Sequence, residues 1–140
     1  MRRLIGTALL VMLAACGGDS TGPKADITGN YTLRTVNGSA VPAVVFQDAS
    51  EKDELTGGNI SLGANNTWTG LLSARVTDLT TSEVFTGSAP ASGSYTNSGG
   101  SITLTVAQDG SQLIGSVASG TLTLSGDIGV GSAVTMVFQR

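Results

Sequence analysis

The side chains that most often carry catalysis are almost missing from this chain, and its one thiol lies near the N-terminus at Cys16. The sequence contains no histidine, which excludes histidine-based triads, histidine general bases and histidine metal ligands. Cys16 is the only cysteine and directly follows Leu13, Ala14 and Ala15. A thiol is a strong nucleophile, and small residues before it allow the preceding peptide bond to enter a peptidase site. The residues around Cys16 therefore indicate the chemical role of this thiol.

The segment before Cys16 has the organisation of a secretory signal. Arg2 and Arg3 are followed by an apolar run from Leu4 to Ala15, which is shorter than the roughly 20 residues that a membrane span requires. The tetrad Leu13-Ala14-Ala15-Cys16 resembles a bacterial lipobox. The resemblance implies cleavage between Ala15 and Cys16, diacylation of the thiol with palmitate-like chains, and acylation of the new N-terminus. The alternative is a buried structural cysteine behind an ordinary cleaved signal.

The lipobox interpretation predicts three segments in the chain and a location at the cell envelope. We expect a signal peptide at 1–15, an acylated cysteine with a flexible linker at 16–25, and a folded domain at 26–140. Two or more acyl chains anchor a protein stably, whereas one binds membranes only marginally. Residue 17 is Gly rather than Asp, and the resemblance then implies sorting to the outer membrane, on its periplasmic face or at the cell surface. The expected membrane contact is through the N-terminal acyl chains.

From Ile27 onward the apolar residues alternate with polar ones, and turn signals recur every eight to twelve residues. This pattern predicts about eight to ten antiparallel strands joined by hairpins. An up-and-down barrel and a two-sheet sandwich both fit the pattern. Meander connections, and the advantage of having no sheet edge, favour the barrel. The predicted fold class is therefore all-β, with an antiparallel up-and-down barrel.

Four stretches, "GNYTLRTVNGSAVPAVV", "GGNISLGANNTWTG", "SGSYTNSGGSITLTV" and "VTMVFQR", resemble the small lipocalin-like domains of bacterial lipoproteins. The resemblance covers Ile27 to Arg140 and implies a β-barrel. Lipocalins carry a Gly-x-Trp motif on the first strand and a late arginine that packs over the tryptophan ring. Gly29-Asn30-Tyr31 stands at the first position and Arg140 at the second, which makes Tyr31 and Arg140 a candidate barrel-closing pair.

The strand alternation directs a set of large side chains inward, where they either line a ligand cavity or fill the core. Thr35 and Gly70 are the only inward exceptions we find, which favours a filled core. The candidate cavity or core residues are Tyr31, Leu33, Trp68, Leu72, Phe85, Tyr95 and Phe138. The first hypothesis is a non-catalytic barrel that binds a small apolar ligand or an envelope protein. The alternative is a solid-core interaction module, such as an inhibitor or assembly factor, that acts through its rim loops.

The charge distribution argues against a nucleic-acid partner and includes one acidic cluster, at residues 48–54. The net charge is −3, and no basic run exists beyond Arg2-Arg3, so no nucleic-acid partner is expected. The acidic segment 48–54 is interpreted as a solvated loop, with a calcium site as the alternative. Nothing favours Asp78 and Glu83 as paired catalytic carboxylates, or Lys52 as the base of a serine–lysine pair. We therefore expect a monomer that is not an enzyme and has no catalytic residue, metal or cofactor.

Overall fold

The alternating segments form ten antiparallel strands in the computed structural model, which describes residues 25–140. Side chains that alternate between the two faces of a strand bury one face and leave Thr and Ser on the other. The predicted all-β class is confirmed. The strands are β1 Gly29–Val36, β2 Ser39–Ala40, β3 Ala43–Gln47, β4 Glu51–Leu62, β5 Thr67–Asp78, β6 Val84–Ser98, β7 Ser101–Val106, β8 Gln112–Ala118, β9 Thr121–Asp127 and β10 Ala133–Gln139.

Eight of these strands close into a barrel, which confirms the barrel rather than the sandwich. The order runs β1-β10-β9-β8-β7-β6-β5-β4, and β1 pairs with β4 to complete the ring. The closing ladder joins Gly29–Thr32 to Asn59–Leu62. The two short strands lie outside the ring, β2 beside β1 and β3 beside β4. A barrel of eight strands has an interior just wide enough for side chains or one small ligand.

The turns define two ends of the barrel. The hairpins β1–β2, β6–β7 and β8–β9 turn at Asn37-Gly38, Gly99-Gly100 and Ser119-Gly120, where both residues have positive φ. These are the type I′ turns that match the twist of paired strands. We call the end that carries the start of β1, the end of β10 and the β6–β7 and β8–β9 turns the closed end. The open end carries the β5–β6, β7–β8 and β9–β10 loops.

The core occupies the closed end and the side of the barrel nearest β1 and β10. Tyr31, Leu104, Leu122 and Phe138 are completely buried there, and Leu62 is almost so. A β-bulge between Leu33 and Thr35 changes the alternation of β1. Both Leu33 and Val36 consequently face the core, and the expectation that Thr35 points inward is corrected to Val36.

The acidic segment differs from its expectation. Only Asp48 to Ser50 form a turn, in which Asp48 Oδ1 accepts hydrogen bonds from the backbone N–H groups of Ser50 and Glu51. Glu51 already begins β4 and pairs with Asp78, so the solvated-loop interpretation is wrong for residues 51–54. The pairing with β3 and β5 overrides the polar composition, because a ladder on both sides satisfies the backbone whatever the side chains are.

Several sequence-based expectations lie outside the described residues: the signal peptide at 1–15, Cys16 and the linker as far as Lys24. Within residues 25–140, no helix is long and apolar enough to cross a membrane. No group of three or more metal-ligating side chains occurs in this same part of the chain.

Candidate functional site

The β5–β6 hairpin extends beyond its neighbours at the open end of the barrel. β5 and β6 pair along their whole length, from Thr67↔Ser94 to Thr77↔Val84. β7, in contrast, pairs with β6 only over Gly93–Ser98. Strands β3 to β6 consequently form a wall that continues past the last β6–β7 pair, and among residues 25–140 no strand pairs with the projecting part of β6 on the side away from β5.

A cavity of about 420 Å³ lies between this wall and the packed core. A second cavity of about 360 Å³ lies next to it, nearer the tip of the hairpin, and shares Leu72, Ala89 and Ile128 with the first. Volumes of this size are within the range of small-molecule sites. The apolar lining of the first cavity consists of Ile60, Trp68, Leu71, Leu72, Ala89, Pro90, Ala91, Val106, Leu113, Ile128, Met136 and Phe138.

The space exists because inward residues of β6 are small. β6 presents Gly87, Ala89 and Ala91 to the interior, whereas the inward positions of β10 carry Val134, Met136 and Phe138. A Cβ atom placed on Gly87 would meet no atom within 4 Å. Ala89 and Ala91 are exposed although they line the cavity. The wall is therefore accessible from inside rather than packed.

Trp68 forms the boundary between the core and the first cavity. Its side chain is 3% exposed and belongs to both. The indole Nε1–H donates a hydrogen bond to the carbonyl oxygen of Thr105 at 3.2 Å. This bond satisfies the one polar atom of a buried tryptophan and fixes its ring. Trp68 is the only tryptophan in the chain, so tryptophan fluorescence reports on this one position.

Carboxylates border the two cavities, and no Lys or Arg among residues 25–140 lines either of them. Asp109 and Asp127 lie at the rim of the first, and Asp53 and Glu54 border the second. Hydrogen bonds from the backbone and hydroxyl of Ser111 hold the pKa of Asp109 below its ordinary value. One oxygen of Asp53 is buried and has no hydrogen-bond partner among the described residues. The border therefore has negative charge and an unused hydrogen-bond acceptor.

Glu54 differs from the other carboxylates because its charge is paired across the strand. Its Oε2 accepts two hydrogen bonds from Arg75, at 2.9 Å from Nε and 2.8 Å from Nη2, and lies 3.4 Å from Lys52 Nζ. The hydrogen bonds from Arg75 lower the pKa of Glu54. Arg75 lies opposite Glu54 in the β4–β5 ladder, on the outer face. Glu54 thus stabilises the wall and is not available to a ligand.

The structure brings Tyr31 and Arg140 together at the closed end. The Arg140 guanidinium carbon lies 5.6 Å from the centre of the Tyr31 ring, within the range of a cation–π contact. The guanidinium also donates to the carbonyl oxygens of Thr28 at 2.7 Å and Asp26 at 3.0 Å. The Tyr31 hydroxyl donates to Ile27 O at 2.7 Å, and burial raises its pKa. This cluster joins the C-terminal residue to the segment just before β1.

The remaining candidate residues divide between core and cavity, with one exception. Leu33 and Tyr95 are buried in the core, while Trp68, Leu72 and Phe138 also line the first cavity. Phe85 belongs to neither, since it is 59% exposed near the tip of the hairpin. Its strand position does direct it to the inner face, but the barrel is not closed at that height, so no core is present to cover it.

The apolar alternation does not single out the small inward residues Gly87, Ala89 and Ala91. The signal is present in "VFTGSAPASGSY", where every second residue is small between Phe85 and Tyr95.

The closed eight-stranded antiparallel barrel is consistent with a lipocalin-like barrel. Comparison of the chain with protein-family models, with curated proteins and with solved structures found no match.

Proposed function

We propose that this protein binds a small apolar ligand in the cavity at the open end of its barrel. The observation that supports this most strongly is the inner face of β6, where Gly87, Ala89 and Ala91 border empty apolar space instead of a packed core. Native interiors are close-packed, so a chain that leaves this much room beside its only tryptophan has a wall suited to a ligand. The role is one of binding, not catalysis.

The charges around the cavity narrow the class of ligand. Asp109, Asp127 and Asp53 border the apolar space, and within the described part of the chain neither Lys nor Arg does. An anionic head group placed here would meet like charges, whereas an ammonium or hydroxyl group could donate to a carboxylate. We therefore propose a neutral or cationic amphiphile, with its apolar part against Leu72 and Phe138, rather than a fatty-acid anion.

Asp78, one of the two carboxylates of the candidate catalytic pair, has a structural use. Asp78 Oδ1 accepts hydrogen bonds from the backbone of Thr80 and Thr81 and from the Thr80 hydroxyl. These bonds shape the β5–β6 turn, in the manner of an Asx-turn. Glu83, at the other side of this turn, is exposed, and the turn stands outside both cavities. This supports a binding role for the molecule.

We propose further that Cys16 holds the protein on the envelope membrane, at the outer membrane, through acyl chains. Replacement of Cys16 by Ser should abolish labelling of the protein with radioactive palmitate and leave unprocessed precursor in the cell. Labelling that persists in the Cys16→Ser protein would refute the anchor without affecting the ligand proposal.

The ligand proposal is tested by Trp68 fluorescence of the full chain, titrated with dodecylamine, dodecanol and dodecanoate. We expect saturable changes with the first two probes and weaker binding of dodecanoate. Ala89 lines both cavities, so Ala89→Phe should weaken dodecanol binding at least tenfold. Thr69→Phe, which places the same ring on the exposed outer face of β5, is the matched control and should bind as the original protein does. If no probe binds, or if Ala89→Phe binds equally well, the proposal is refuted and the rim-loop interaction module is favoured.

A further inference from the structure

The part of β6 that projects beyond β7 has an open edge. Among residues 25–140, no strand pairs with Val84–Ala91 on the side away from β5. The Ser92 carbonyl accepts from Ala107 on the β7 side, while the Tyr95 N–H donates to Asn66 on the β5 side. Because backbone groups alternate along a strand without register shifts, the even-numbered residues of this segment direct their N–H and C=O groups to the open edge.

The residues of this open edge do not prevent it from pairing with a strand of another chain. Exposed edge strands usually carry Lys, inward charges or Pro, which prevent pairing with another chain. Val84–Ala91 has no charged side chain, and Val84 and Phe85 are 55% and 59% exposed. Pro90 is the one protective residue, and the N–H that it lacks would have pointed to the open side. Val84, Thr86 and Ser88 keep their donors and acceptors.

We infer that two copies of this chain pair through this edge, antiparallel, about a two-fold axis at Thr86. In this register Thr86 lies opposite Thr86 of the second copy, and Val84 lies opposite Ser88. The three pairs form six backbone hydrogen bonds, because each pair in such positions exchanges two. Pro90 falls beyond the ladder, opposite the β5–β6 turn. A shift by two residues would place Pro90 opposite Val84 and remove a donor at each end.

The same register is complementary in shape. It places Phe85 directly opposite Gly87 of the second copy, on the inner face of both walls. A Cβ atom on Gly87 meets nothing within 4 Å, so the ring has room to lie over it. Gly87 also lines the second cavity, and each copy thus supplies one aromatic wall to the other's cavity. A site open in one copy becomes enclosed in the pair.

The charges near the axis are compatible with this pairing. Arg75 lies beside Thr86 in the β5–β6 ladder, on the outer face. Its guanidinium is hydrogen-bonded to Glu54 at 2.8 Å, so each copy brings a paired guanidinium rather than a bare one toward the axis. The inference replaces the sequence-based expectation of a monomer. The pairing itself needs no ligand, so it stands or fails separately from the proposed binding function.

A disulfide tests the register directly. The full chain with Cys16→Ser and Thr86→Cys has one thiol, on the axis, and facing Cα atoms in such a pair are about 5.5 Å apart, within disulfide range. We expect it to form covalent dimers under mild oxidation at least tenfold faster than the control with Cys16→Ser and Ser88→Cys. In the control the two thiol-bearing residues are offset by four positions, about 14 Å along the strand. Equal rates would overturn the inferred interface.

Sedimentation velocity of the full chain in mild detergent gives an independent result. We expect a dimer that dissociates on dilution, and a Thr86→Pro chain whose dissociation constant is at least tenfold higher. A proline on the open side removes two of the six hydrogen bonds without affecting the pairing with β5, and its circular dichroism spectrum should be unchanged. A monomer at all concentrations, or an unaltered dimer in Thr86→Pro, would refute the inference.

Discussion

Gly93 and Gly87 lie six residues apart on β6, and the structure predicts opposite results when each is replaced by Ala. Gly93 packs against β7, where an added Cβ atom would lie 1.8 Å from the carbonyl oxygen of Thr105. That oxygen is backbone, so no rotation of a side chain can relieve the overlap. Gly87 faces the second cavity, where an added Cβ atom meets nothing within 4 Å.

The loss of unfolding free energy in Gly93→Ala can be derived from the shift of Thr105 that the added Cβ atom requires. Ordinary contact begins near 3.4 Å, so Thr105 must move by about 1.6 Å, which is the difference between 3.4 and 1.8 Å. Such a shift breaks the bond from Trp68 Nε1, already 3.2 Å long, and the two ladder bonds between Ser94 and Thr105. Three hydrogen bonds at about 1 kcal/mol each give a loss of about 3 kcal/mol.

Thermal unfolding and urea unfolding, each followed by Trp68 fluorescence and by circular dichroism, measure this loss. Gly93→Ala should lower the melting temperature by about 10–15 °C. Gly87→Ala should remain within about 1 kcal/mol of the original stability, on the stabilising side, since Ala reduces the entropy of the unfolded chain. If the two variants are equally stable, the packing of β6 against β7 described above is incorrect.

Three further predictions concern the ends and the wall of the barrel. Arg140→Met keeps the aliphatic stem but loses two hydrogen bonds and the contact with Tyr31, so unfolding free energy should fall by about 1–2 kcal/mol; an unchanged urea midpoint would contradict this. Because its folded pKa is lowered, Glu54 contributes stability that is present above the unfolded value of about 4.3 and is lost as the pH falls through the folded pKa. Glu54→Gln should therefore lose less stability than the original chain between pH 7 and pH 3, and parallel urea midpoints would refute the pairing. Trp68→Phe should cost about 1 kcal/mol in thermal unfolding because it leaves the Thr105 carbonyl without its indole donor, and no change would show that this bond is immaterial.

The barrel could be predicted because its determinants are local. Period-two alternation gives the strands, and the Asn37-Gly38, Gly99-Gly100 and Ser119-Gly120 pairs give turns that return each strand to its neighbour. The bulge in β1 could not be predicted, because it depends on how Leu33 and Val36 fit a core made by other strands. The same limit applies to Glu51–Glu54, whose strand is imposed by β3 and β5.

The sequence pattern identifies Trp68, Leu72 and Phe138 as candidate cavity residues, but it does not show where the barrel opens. Alternation shows which residues face inward, but not how far each strand extends beyond its neighbours. Phe85 was expected in the cavity or core because it alternates correctly, yet β7 pairs with β6 only from Gly93 onward. Conversely, Ala89 and Ala91 gave no apolar signal, although their small size creates the space beside Leu72.

The position of Arg140 also determines how the barrel responds to a force on its N-terminus. The chain enters β1 at the closed end, where Arg140 holds the carbonyls of Asp26 and Thr28. β1 then runs between β10 and β4, antiparallel to both. A pull on the chain ahead of Asp26 acts along β1 and loads its hydrogen bonds together in shear. The open cavity and the edge of β6 lie at the opposite end of the barrel, so tension on the N-terminus bears on neither of them.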